Sequence, residues 1–179
     1  MTPDNLRAIP KSISSNQELI KEALDLGCTK AKVVLIKTIS MVHWVKLHCQ
    51  FGCSQYAKLL TCPPFTPDCD EMAEIIQEYE KALLINTAPN TNVQEIVVCL
   101  ENRFKKKGFS KAFALGAKPC DLCDPCTVTT FCQHPEKARP TLQACGIDVA
   151  TTVDNNGWAE LAPNKPCSES HAIGMVLLG

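Results

Sequence analysis

Four cysteines fall within thirteen residues, Cys120-Asp-Leu-Cys123-Asp-Pro-Cys126 and then Cys132, and no other feature restricts the fold of this chain as much. Thiols that recur three times at every third residue can turn inward on one centre. A fourth thiol after a five-residue gap completes a four-sulfur shell of the kind that a [4Fe-4S] cube takes. Tetrahedral zinc accepts the same four donors, but structural zinc sites more often use two well-separated C-x2-C knuckles. Successive two-residue gaps therefore favour iron-sulfur ligation, with Cys120, Cys123, Cys126 and Cys132 as cofactor-binding residues and zinc as the alternative. The last step departs from the bacterial ferredoxin pattern, which has a three-residue gap and then proline; here the gap is five and Gln133 follows.

Twelve cysteines in 179 residues are too many for ordinary packing. Their meaning depends on the compartment. The stretch from Val33 to Leu47 is the most apolar in the chain, but Lys37 and Lys46 interrupt it, so it is too broken for a membrane span. The N-terminus lacks the apolar core and small-residue cleavage site of a signal peptide. A cytoplasmic protein without membrane insertion is expected, and in a reducing cytosol clustered thiols are metal ligands or redox groups rather than disulfides. The net charge of -1 supplies no basic field, so no nucleic-acid partner is expected.

The elements between the cysteines alternate. Ser15 and Glu18 form a capping-box pair ahead of Leu19, Ile20, Ala23 and Leu24, which predicts a helix over 16–26 that Gly27 stops. Residues 31–38 are β-branched and apolar, as in a strand, and 41–48 continue that strand or return as a hairpin arm. Asp68 and Glu71 repeat the capping box before Met72, Ile75, Ile76 and Tyr79. A buried strand over 81–86 follows, then a helix that Asn92 caps, with Val93, Ile96, Val97, Leu100 and Phe104 on one face. A strand over 111–115, a helix over 136–144 ended by Gly146, and a closing strand over 172–178 complete the pattern. The expectation is an α/β (or α+β) fold: one domain over 16–179 behind a flexible arm at 1–15, with a mixed sheet of about four or five strands, packed helices and two cysteine-rich metal-binding loops. Each loop follows a strand and precedes a helix, which would bring both to one sheet edge as neighbours.

The second loop carries Cys49-Gln-Phe-Gly-Cys53 and then Cys62-Pro63-Pro64. Three thiols suffice for three ligands of a second cluster, and Cys69, at a helix start where the macrodipole favours a thiolate, is the possible fourth. Cys28, Cys145 or Cys167 could arrive there through the fold instead. Without a fourth sulfur one iron would be open to a small-molecule ligand. Cys99 lies near an apolar helix face and is expected to pack in the core. His134 is either a donor near the first group or part of a turn.

The segments from Cys49 to Pro64, from Gly116 to Cys126 and from Cys132 through His134-Pro135-Glu136-Lys137-Ala138-Arg139 to Pro140 resemble the DUF2284 family of predicted metal-binding proteins, from about residue 28 to the final strand. Members of that family usually carry a small residue or glycine where Ala57 stands, and their additional cysteines vary. The resemblance implies a metal or iron-sulfur centre in a protein of anaerobic metabolism, and leaves the reaction open.

Dinucleotide, P-loop, zincin and hydrolase motifs are absent. The expected role is therefore that of an iron-sulfur protein with one or two [4Fe-4S] clusters in electron transfer, served by a redox partner protein. The alternatives are an enzyme or sulfur-handling protein with an open iron at the 49-53-62 group, and a zinc-stabilised interaction module.

Overall fold

Residues 82–87 and 173–178 are apolar almost without alternation, which suits strands covered on both faces. In the computed structural model, which describes residues 14–163 and 172–179, these segments are the two central strands of a four-stranded sheet. The strands β1 (Cys28–Leu35), β2 (Lys81–Thr87), β3 (Phe113–Leu115) and β4 (Ile173–Leu178) lie in the order β1-β2-β4-β3. Lys81 stands opposite Leu178 and Leu35, and Leu115 opposite Met175. All three ladders are antiparallel, and among the described residues the parallel pairing is an isolated bridge between Gly116 and Thr141. The fold is of the expected α/β type, while the expected mixture of strand directions shrinks to that one bridge.

Among the described residues five α-helices accompany the sheet: α1 (Asn16–Asp25), α2 (Trp44–Gly52), α3 (Cys69–Gln77), α4 (Val93–Lys106) and α5 (Val149–Asn155). Since β2 and β3 both run opposite to β4, which lies between them, they are parallel to each other and α4 is the crossover of a split β-α-β unit. Leu19 and Ala23 of α1 and Val93, Val97, Leu100 and Phe104 of α4 pack on Leu83, Ile85, Val176 and Leu178. The opposite face, with Leu84, Met175 and Leu177, is covered by Met72 and Ile76 of α3, Val149 and Val153 of α5, and Leu142 and Ile147. Gly174 lets α4 come this close, because a Cβ there would stand 2.7 Å from a methyl of Val97.

The capping boxes form as the sequence predicts. Ser15 and Asp68 accept the backbone N–H groups of Glu18 and Glu71, whose carboxylates accept the two cap N–H groups in return. Asn92 likewise accepts the N–H of Glu95. The segment 41–48 departs from expectation, for its second half is the start of α2. Met41 makes only an isolated bridge to Ile147, after which Val45 and Cys49, four residues apart, turn to the same buried side. Burial of Val45 and Cys49 on one helix face wins, and packing overrides the strand preference of the segment's valines.

The helix expected over 136–144 is also absent. Proline lacks the N–H that a helix needs and disfavours helical geometry in the residue before it, so Pro140 works against continuation through Arg139. The Arg139 guanidinium itself takes up the carbonyls of Pro135 and Ala138. What remains is a turn at His134–Ala138 and a short 3-10 turn, Gln143–Cys145, ended by Gly146. Helix α5, capped by Asp148, was not anticipated. Of the arm expected over 1–15, residues 1–13 lie outside the described residues, and Ser15 belongs to α1 as its cap.

Ala57 adopts a left-handed conformation with φ 58°, and its N–H donates to the Pro63 carbonyl at 2.9 Å. An L-residue with a Cβ is strained there by roughly 1–2 kcal/mol, part of which glycine returns as unfolded-state entropy. Ala57→Gly is therefore expected to stabilise the fold by about 0.5–1 kcal/mol. A raised denaturant midpoint at constant slope would show it, and a lowered midpoint would contradict it.

Candidate metal centre

The first cysteine group occupies a long loop, 117–138, that leaves the end of β3 and returns beside its own starting point. The neck of the loop is closed by backbone: Gly116 N–H donates to Pro140 at 2.8 Å, and Leu142 N–H donates to Gly116 at 3.2 Å. Side chains of α4 lock it. Arg139 makes a two-pronged pair with Glu101, Nε to Oε2 and Nη2 to Oε1, both at 2.7 Å. Glu101 also accepts the N–H of Ala114 in β3 and the ammonium of Lys105. Gln94 donates to the Arg139 carbonyl at 3.1 Å, and its amide lies so close to Gly116 that any Cβ there would collide with it. Burial alone would raise the Glu101 carboxyl pKa, but the hydrogen bonds from Arg139, Lys105 and Ala114 outweigh it and hold the group below the ordinary range.

Within the loop Cys120, Cys123, Cys126 and Cys132 are half-buried and line one small pocket, together with Leu59, Thr61 and His134. Among the described residues every cysteine is a free thiol. Burial pushes the Cys120 thiol up; the N–H of Leu122 opposes that, and the neighbouring Cys132 and Cys126 add to it. Lys118 pairs with Asp121 at 2.9 Å within the loop. The His134 carbonyl accepts two turn hydrogen bonds, from Lys137 and Ala138, while the residue still lines the pocket.

The second group is built by α2 and the turns after it. Cys49 is on the buried side of the helix, Cys53 caps its C-terminus, and Cys62 is buried in the turn that follows. Burial raises Cys62 to about 12, with Cys53, Cys49 and Cys120 adding to the rise and Thr61 opposing it. The two groups are neighbours: Thr61 lines the loop pocket, and the adjoining Cys62 lies within electrostatic reach of Cys53, Cys49 and Cys120. Cys49 is raised by burial and by Cys53, against the pull of Lys46, whose ammonium donates to the Pro67 carbonyl.

Cys69 begins α3, with its thiol against Gly146, where a Cβ would stand 3.3 Å from the sulfur. Burial and the carboxylates of Asp70 and Asp68 raise that thiol, whereas a helix start alone would favour the thiolate. Cys145, pushed up to about 12, and Cys28, pushed up to about 11, are packed core thiols. Cys99 is half-buried on α4 rather than in the core, and Cys167 lies outside the described residues. Four free thiols in one pocket are a donor set suited to a thiophilic metal or cluster. Among the described residues no three His, Cys, Asp or Glu side chains stand close enough to hold a single metal ion.

A cleft of about 740 Å³ opens beside the second group, with Trp44, Leu47, Cys49, Phe51 and Cys53 on one wall and Ile147, Val149 and Pro163 on another. Among the described residues no helix is long and apolar enough to cross a membrane. Sequence reasoning missed the Glu101–Arg139 lock. Its signal was present, since Glu101 falls four residues after Val97 and three before Phe104, on the face that the apolar periodicity turns inward.

Neither a curated protein nor a solved structure matches the chain. A family profile described as a predicted metal-binding protein matches residues 32–178, which span both cysteine groups, the Glu101–Arg139 lock and all of β4. The chain belongs to the DUF2284 family of predicted metal-binding proteins.

Proposed function

We propose that this is an iron-sulfur protein of the cytoplasm that carries one or two [4Fe-4S] clusters and exchanges single electrons with a redox partner protein in anaerobic metabolism. The observation that carries the reading is the convergence of Cys120, Cys123, Cys126 and Cys132 on one pocket at the end of a locked loop. Zinc needs its four sulfurs at about 2.3 Å from one point, whereas a cubane takes its ligands at the corners of a wider tetrahedron. The preference for iron-sulfur over zinc rests on the successive two-residue gaps between Cys120, Cys123 and Cys126. When bound, such a cluster supplies reversible one-electron chemistry. The chain supplies the rest: thiolates for ligation, the Leu122 N–H at Cys120 to draw charge from sulfur, and a partly covered pocket that limits water. The second cluster is assigned to Cys49, Cys53 and Cys62.

Iron, acid-labile sulfide and zinc content, with the visible spectrum, tests this on protein purified without oxygen. About eight iron and eight sulfide per chain are expected for two cubanes and about four of each for the 120–132 loop alone. Stoichiometric zinc without sulfide would replace the reading with a zinc-stabilised module.

A second reading rests on the cleft. If Cys49, Cys53 and Cys62 are the whole ligand set, one iron faces a space large enough for a small molecule, and the centre acts on a bound substrate. Cyanide added to the reduced protein would then alter the spectrum of that cluster alone. An unchanged spectrum, with a fourth cysteine shown to bind, would leave electron transfer as the role.

A further inference from the structure

The lock at the loop neck does more than join two elements. It ties both ends of the cysteine loop to α4 through groups that need no metal: Gln94 to the Arg139 carbonyl, Glu101 to the Arg139 guanidinium, and Glu101 to the Ala114 N–H just before the loop begins. Arg139 is buried and Glu101 is fully so. The guanidinium also binds the carbonyls of Pro135 and Ala138, fixing the chain immediately after Cys132. Leu59, Leu60 and Thr61 line the loop pocket from outside, and the hydrogen bonds inside the loop are short-range turns such as Thr130 N–H to Thr127 and Lys137 N–H to His134. The position of Cys132 relative to Cys120 is therefore set at the neck.

We propose that Arg139, held by Glu101 and Gln94, is a positioning residue for the 120–132 centre: it presets the loop so that the four thiols face one pocket before any metal arrives. The inference rests on metal binding by these four thiols and holds whether iron-sulfur or zinc occupies them. Ordering a flexible 22-residue segment around a metal costs binding free energy, and a closed neck removes part of that cost in advance. Changing Arg139 should weaken metal capture even where the fold survives. A merely structural residue would alter stability alone.

The test is titration of the full-length, metal-free chain with cadmium, read from the ultraviolet thiolate-to-cadmium band, in the wild type and in Arg139→Lys and Gln94→Met. Lysine keeps the charge beside Glu101 but loses the fork that reaches Pro135 and Ala138. Gln94→Met removes one hydrogen bond and no charge. Cadmium affinity is expected to fall about tenfold or more in Arg139→Lys, by less in Gln94→Met, with unchanged far-ultraviolet dichroism. The loss should vanish in a Cys123→Ser background, where the loop site is already broken. Unchanged affinity in both folded variants would overturn the proposal, as would an equal loss in the Cys123→Ser background. If Arg139→Lys does not fold, Gln94→Met decides alone. Failure of the cluster reading appears separately, in the iron and sulfide content of the wild type.

Discussion

Replacing Glu101 by Gln is expected to destabilise the protein by about 3–5 kcal/mol, the cost of leaving a buried charge without its partner. The carboxylate is fully buried and accepts from Arg139 twice, from Lys105 and from Ala114; the variant leaves the Arg139 guanidinium buried against a neutral amide. For a chain of this length such a loss lowers the melting temperature by on the order of 10 °C. Replacing both partners, Glu101→Leu with Arg139→Met, should recover most of the stability, because no buried charge is then stranded. The pH dependence has a definite sign. The folded pKa of Glu101 lies below its ordinary 4.5, so its stabilisation is complete at neutral pH and is lost as pH falls from that value through the depressed folded one. Acid unfolding of the wild type should therefore steepen below about pH 4.5, and Glu101→Gln should lack that component. A variant within 1 kcal/mol of the wild type would show that water reaches the pair.

The parts of the fold written in local chemistry were legible. Two capping boxes, an asparagine cap and uninterrupted apolar runs place α1, α3, α4, β2 and β4 within a residue or two, because each depends on neighbours along the chain. What was not legible depends on distant partners. Residues 41–48 read as a strand because Val42 and Val45 favour one, yet the burial of Val45 and Cys49 on one face makes 44–52 a helix. Residues 136–144 read as a helix from Pro135, while the decisive competitor is the Arg139 side chain, which takes up the local carbonyls and finds its carboxylate 38 residues away. The cysteine spacing indicated which thiols belong together in the loop. The order of elements suggested that the two groups are neighbours; it did not indicate that Cys62 is the thiol within electrostatic reach of Cys120, which the turns between α2 and α3 bring about.

That proximity gives the second prediction its reach. In anaerobically prepared protein, Cys123→Ser is expected to remove or convert the loop cluster, lowering iron by about four per chain. Cys99→Ser, on a half-buried face of α4, should leave iron unchanged. Equal losses in the two variants would break the division between ligand and packing cysteines. With both centres filled and reduced, two paramagnets whose ligands Cys62 and Cys120 lie within electrostatic reach of each other should interact, giving a broadened, split resonance in the wild type. Cys123→Ser should collapse that resonance to the simple signal of the cluster at Cys49, Cys53 and Cys62. A simple signal in a fully loaded, fully reduced wild type would mean that the centres are insulated from each other, and an electron arriving at the exposed loop would then have no short route to the thiols that border the cleft.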